Sequence, residues 1–226
     1  MRVRHSLRRV HIWLGWLVGV PFLLWTLSGL VMAWKPIEEV RGTALVADTP
    51  ALPNGVVPVP PAIGPRAVKS VELVGDAAGP RWLVRYADGP ARRADARTGA
   101  LLPPLTAAEA MATVRARFTG DAKPVSVTRT SADDPPLDLR RPLATWRVGM
   151  DDGTALYVAA DSGEIVARRT RWWRIYDFMW GIHIMDLETR ENTSNGFLFA
   201  FAILSTATAL LALILLPLSS RRKRSR

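Results

Sequence analysis

Two long uncharged runs bracket a middle that alternates. The first is IWLGWLVGVPFLLWTLSGLVMAW, residues 12–34. The second is NGFLFAFAILSTATALLALILLPL, residues 195–218. Each is long enough to cross a hydrocarbon core of about 30 Å as a helix. Trp13 and Trp16 stand at one end of the first run and Trp34 at the other, in the manner of an aromatic belt. A cleavable leader has an apolar core of about 7–15 residues and a small-residue cleavage site. This run is longer and ends AWKP, so it reads as a retained span.

Between the runs the pattern changes to period two. WLVRYADGPARRADARTGALL (82–102) aligns without gaps on WRVGMDDGTALYVAADSGEIV (146–166), at an offset of 64. Trp82 matches Trp146, Asp88-Gly89 matches Asp152-Gly153, and Gly99 matches Gly163. Each copy predicts strand, turn, strand, turn, strand, with D-G and T-G or S-G pairs at the turns. LTAAEAMATVRARF, between the copies, carries a Thr106–Glu109 capping box. Ala107, Met111, Val114 and Phe118 fall on one helical face, which should pack on the following sheet. The matching stretch before the first copy is Pro-rich and predicts no helix. SADDPPLDLRRP (131–142) is an insertion in the second unit. The fold predicted is an α+β membrane protein. Two transmembrane helices flank a helix-plus-antiparallel-sheet domain that is a degenerate repeat.

The segments follow from this. Residues 1–11 are a basic tail and 12–34 the first span. Residues 35–66 are a Pro-rich linker, 67–105 a degenerate unit and 106–170 a complete one. An interfacial amphipathic segment covers 171–194, with Ile175, Met179, Ile182 and Met185 on its apolar side and Arg174 and Asp177 elsewhere. The second span is 195–218 and the second basic tail 219–226.

Charge changes the picture only at the ends. The net charge is +10. Arg2, Arg4, Arg8 and Arg9 precede the first run; Arg221, Arg222, Lys223, Arg224 and Arg226 follow the second. These nine leave the rest of the chain at +1. Basic flanks outside both spans put both termini in the cytoplasm and the middle on the far side, and they argue against a nucleic-acid face. The cluster RRTRWWR (168–174) belongs to a long exported domain, where that rule carries little weight. With no cysteine, disulfides, thiol catalysis and Cys-ligated metals are excluded. No phosphate loop, dinucleotide fingerprint, zinc-protease motif or serine elbow is present.

The ending DGTALYVAADSGEI, with Asp152, Gly153, Tyr157, Val158, Asp161, Gly163 and Glu164, resembles the PepSY domain. RRVHIWLGWLVGVPFLLWTLSGLVMAWKPIEEVRG and WGIHIMDLETREN resemble the opening and closing segments of the PepSY-associated transmembrane family. The resemblance covers nearly the whole chain and is weakest in the first unit. It implies a bacterial inner-membrane protein with a periplasmic domain, acting as an accessory or binding subunit of a membrane assembly. Larger members resemble iron–siderophore reductases and bind haem b through membrane histidines; this chain has two spans where those have four. PepSY modules elsewhere inhibit or bind, which adds a third reading, a regulator of a periplasmic protease.

The resemblance directs attention to His11 and His183. As haem ligands they would support electron transfer for periplasmic metal or siderophore reduction during iron uptake. They stand at opposite ends of a span of about 30 Å, so they cannot share one haem. The simplest partner of each is its own copy in a homodimer, with one haem near each surface. His5 is an alternative second ligand in the basic tail. The other reading of His11 is an interfacial residue beside lipid headgroups. For His183 it is an anchor of an interfacial helix, with Asp186 at i+3 as a hydrogen-bond partner. His11, Gly15, Gly19, Phe22, Thr26 and Gly29 form a mostly small stripe, in which Gly15 and Gly19 make a G-x-x-x-G pair suited to close helix packing. Ala202, Ser205, Ala209 and Ala212 form a small face on the second span. The stripe packs on that face, on a flat cofactor, on a second protomer or on another inner-membrane or periplasmic protein; the lipid bilayer is the remaining partner.

Overall fold

The computed structural model describes residues 2–76 and 78–220, and the chain is α+β. It forms two compact units, one from Met1–Pro36 with Ile175–Arg226, the other from Ile37–Arg174. The basic residues 221–226 lie outside the described residues.

The first unit is helical. Helix α1 runs Arg2–Ala33 and helix α5 runs Gly196–Ser220; they pack along each other. Both are long and apolar enough to cross a membrane, with mean hydropathy 1.8 and 2.5. α1 already begins at Arg2, because nothing between the arginines and the apolar run breaks a helix, and it continues through Pro21. Trp16, Leu23, Phe197, Ile203 and Leu213 are exposed on the outer faces. Contiguous apolar surface of this kind marks a surface covered by something other than water.

The G-x-x-x-G pair does not make the close helix contact its spacing suggests. A Cβ on Gly15 or Gly19 would meet nothing within 4 Å. Half-buried or buried positions are instead His11, Leu14, Gly15 and Val18 on α1, and Leu204, Ser205, Thr208, Leu211 and Ala212 on α5. Ala202 and Ala209 of the expected small face are exposed.

The second unit holds two antiparallel sheets. Sheet 1 orders β1 (Val68–Val74), β2 (Arg81–Tyr86) and β3 (Arg92–Asp95). Sheet 2 orders β4 (Pro124–Thr130), β5 (Thr145–Met150), β6 (Ala155–Ala159) and β7 (Ile165–Arg169). The two sheets repeat in register. Arg81 faces Asp95 as Thr145 faces Ala159, and Val74 faces Arg81 as Thr130 faces Thr145. The irregularity between Val68 and Ser70 recurs between Pro124 and Ser126. The bridge Ala94–Leu101 repeats the pair Val158–Ile165, so strand β7 survives in the first repeat as a single bridge, cut off by Pro103-Pro104. Gly99 and Gly163 occupy the same turn at φ 73° and 75°, left-handed positions that favour glycine.

Helix α3 (Ala107–Arg117) carries the expected capping box. It buries Ala110 and Val114 against Val148, Met150, Leu156 and Val158 of sheet 2. In the first repeat its place falls to the Pro-rich segment. That segment is docked: the Val59 and Ala62 amides donate to the Ala96 and Gly99 carbonyls. Each repeat ties its tryptophan to this segment in the same way. Trp82 Nε1 donates to the Val59 carbonyl and Trp146 Nε1 to that of Leu105, both at 2.7 Å.

Candidate functional site

In the helical unit, His183 ends helix α4 (Arg171–His183) and lies against α1. Its ring stacks on Trp25, with centroids 4.5 Å apart and planes at 20°. It sits over Gly29, where a Cβ would come within 3.2 Å of His183 Cε1. Nδ1 lies 3.1 Å from both the Trp25 carbonyl and Ser28 Oγ. Ser28 Oγ donates to the Trp25 carbonyl at 2.8 Å. Both oxygens therefore serve as acceptors, and the network assigns the proton to Nδ1 and the free lone pair to Nε2. This orientation by a backbone carbonyl is also how metal-ligating imidazoles are held.

The pairing of His183 with Asp186 is not formed. Asp186 instead accepts from the Thr189 hydroxyl and from the amides of Thr189, Glu191 and Asn192. Those donors, the Thr189 hydroxyl foremost, hold its carboxyl well below the usual carboxylate range. Ile175 is exposed while Asp177 is 4% exposed, 2.6 Å from Arg190 Nη1. Met185 lies beyond the helix at φ 56°. Arg190, left-handed at φ 57°, folds the chain back so that its carbonyl accepts from Trp180 Nε1. Asn195 then bonds the Ile184 carbonyl and caps α5 through the Leu198 amide.

His11 is half-buried on α1. Its Nδ1 has neither solvent nor a hydrogen-bond partner among the described residues; the same holds for Ser205 Oγ on α5. Along α1, His11 lies about 21–27 Å from the level of Trp25 and Gly29 at 1.5 Å per residue. The structure thus keeps His11 and His183 apart. A groove of about 810 Å³ in this unit is lined by Val20, Pro21, Leu24, Phe178, Ile182 and Phe197 with a polar rim; His183 does not line it. His183 is oriented as a ligand would be, but one chain supplies neither a second axial imidazole nor a slot headed by the first. Among the described residues no group of three His, Cys, Asp or Glu could hold a metal ion.

The sheet unit holds a hollow of about 190 Å³ that the sequence did not reveal. Its floor is sheet 1, with Val74, Leu83, Arg85 and Arg93. Its walls are α3 (Thr113, Ala116, Arg117), the β6–β7 turn and Thr49-Pro50. Arg85 makes a two-pronged contact with Glu164, at 2.7 and 3.3 Å, which raises its pKa. Arg81 meets Asp76 at 3.1 Å. Arg93, 3% exposed, donates to the Pro103 carbonyl; its nearest carboxylate oxygen, on Glu109, is 3.7 Å away. Arg117 gives Nε and Nη2 to the Ala47 carbonyl. Burial first, then the charge of Arg81, push the Arg93 guanidinium below its ordinary pKa. An offset-64 reading of the sequence places Arg93 opposite Tyr157, and that was the available signal.

No protein-family model matches the chain, and neither a curated protein nor a solved structure matches it.

Proposed function

We propose that this chain is an inner-membrane protein of PepSY type, with both termini in the cytoplasm, whose periplasmic sheet unit serves as a binding subunit of a membrane assembly. The observation that carries the reading is the architecture. Two apolar helices with lipid-type outer faces flank a repeated sheet unit that has a hollow between its repeats. Both termini leave by helices that could span, which fits termini on one side. Two measurements test it. Reporter fusions at residues 50 and 130 should be active only on the exported side, and fusions at the termini only in the cytoplasm. Native electrophoresis in mild detergent should show a species larger than the chain. Cytoplasmic activity of the residue-130 fusion, or a lone monomer, would overturn it.

A second reading, a haem-b electron-transfer protein formed by two copies, is favoured by one observation: the tie of His183 Nδ1 to the Trp25 carbonyl, which leaves Nε2 available. When bound, haem would supply one-electron chemistry, and His183 would be held in orientation by Trp25 and Ser28. A reduced-minus-oxidised spectrum of protein made in haem-supplied cells decides this reading. It should show a b-type signal that His183→Ala abolishes, and a flat spectrum removes the reading.

A further inference from the structure

Both faces of sheet 2 are covered. Helix α3 lies on one. On the other, loop 131–142 buries Leu139 against Ala155, Tyr157 and Ala167. The same loop sets the Asp138 carboxylate 2.6 Å from the Tyr157 hydroxyl, which donates to it. The loop is a plug made of a carboxylate and an adjoining apolar side chain.

The register of the two sheets gives the corresponding face of sheet 1. Arg93 stands where Tyr157 stands, and Leu83 where Arg147 stands. The connection that carries the plug is residues 131–144 in the second repeat and only 75–80 in the first. The first repeat therefore has no plug, and the hollow occupies this face. Of the four arginines lining it, Arg81 and Arg85 are matched by Asp76 and Glu164. Arg93 and Arg117 are held by backbone carbonyls, and among the described residues Arg117 contacts no carboxylate. Arg117 thus meets no carboxylate among the described residues, and Arg93, with Glu109 3.7 Å from its Nη1, keeps a buried Nε without a hydrogen-bond partner, at the place where the twin repeat receives a carboxylate.

We infer that the hollow binds a carboxylate carried on a small apolar stem, with Arg93 and Arg117 taking the carboxylate and Val74, Leu83 and Ala116 the stem. A charged fork reading a planar carboxylate is the chemistry at which arginine excels. The inference rests on reading the sheet unit as a binding module. It takes no input from topology, so a failed titration and a failed fusion experiment are separate results.

The test is calorimetric titration of the full chain in detergent with N-acetyl-Asp-Leu-amide, N-acetyl-Asn-Leu-amide and succinate. The aspartyl dipeptide should bind saturably, about tenfold or more tighter than its asparaginyl counterpart. Arg93→Gln should weaken it about tenfold or more. Arg93 also ties Pro103, so Ala116→Leu is the second variant: it fills the mouth of the hollow without altering an arginine, and should weaken binding as much. Succinate binding as well as the dipeptide supports a free carboxylate as ligand, whereas the dipeptide alone supports a peptide segment. Absence of saturable binding by both carboxylates, equal binding of the asparaginyl dipeptide, or unchanged binding in a folded Ala116→Leu protein would overturn the inference.

Discussion

Replacing Arg190 by Met should be the most damaging single change in the helical unit. Asp177 is buried, and Arg190 Nη1 is 2.6 Å from its Oδ2. Removing one partner of a buried ion pair strands the other charge, at a cost of about 3–5 kcal/mol. The change also removes the Arg190 guanidinium from above the Phe178 ring. At about 2–4 °C per kcal/mol for a chain of this size, the lower figure corresponds to a fall in melting temperature of roughly 6–12 °C. Asp177→Asn removes the charge that must be matched, so it should cost less, about 1–3 kcal/mol. The double variant decides between pairing and simple packing. If the pair is coupled, Asp177→Asn with Arg190→Met should be more stable than the sum of the two losses by about 0.5–3 kcal/mol. The assay is thermal unfolding in micelles, with proteolysis of residues 184–195 as a local readout, because Asn195, which caps α5, also holds the Ile184 carbonyl. Strict additivity, or an Arg190→Met protein as stable as the parent, would refute the reasoning.

Four further outcomes follow from the same geometry. Tyr157 is pushed up to about 12, first by burial and then by Asp138. Its folded value lies above its unfolded one, so its contribution is complete below pH of about 10 and is lost as pH rises toward the folded value. Tyr157→Phe should remove that alkaline loss in a pH series of melting curves. Gly75→Ala places a Cβ 2.1 Å from the Pro50 carbonyl oxygen and should cost about 1–3 kcal/mol by levering the docked Pro-rich segment away. Gly15→Ala meets nothing, so chemical denaturation should show no loss. His11→Leu removes an unmatched buried nitrogen; its stability should be unchanged or raised by about 1 kcal/mol, and a clear loss would mean that Nδ1 has a partner.

What was legible in the sequence was whatever depends on local period. The two apolar runs, the Thr106 cap and the offset-64 repeat are encoded within short windows; β2, β3, β5 and β6 fall where the two copies place strands, whereas β1 and β4 lie outside the copies and the third strand of the first copy is a single bridge. What was not legible depended on contacts between distant residues. Asp177 reads as polar and so falls away from the apolar side; the return of the chain at Arg190 brings a guanidinium to it and makes its burial tolerable. His183 and Asp186 share a helical spacing, but the helix ends at His183, and Asp186 turns to the loop that follows. The small stripe on α1 was read as a packing surface because glycines permit close approach. Permission is not occupancy, and Gly15 and Gly19 face open space within one chain. The Pro-rich stretch was read as a linker because proline forbids a helix, yet its carbonyls remain acceptors and one of them takes the Trp82 indole.

The differences between the repeats fall on one side, and that asymmetry has a physical meaning. The second repeat keeps its helix, its fourth strand and a plug. The first has a proline segment for the helix, a single bridge for the strand and a short turn for the plug. The pairing of β1, β2 and β3 persists through these losses, and the missing plug leaves room for the hollow. A sheet needs its ladder to fold, but it needs cover only where its face is apolar. In the first repeat the uncovered face has gained Arg85 and Arg93 where the second has Gly149 and Tyr157, so losing the plug no longer exposes an apolar surface. The covered repeat can then serve as the stable scaffold, with Val148, Leu156 and Val158 fully buried. The uncovered one presents polar groups held in place by strands, α3 and the β6–β7 turn.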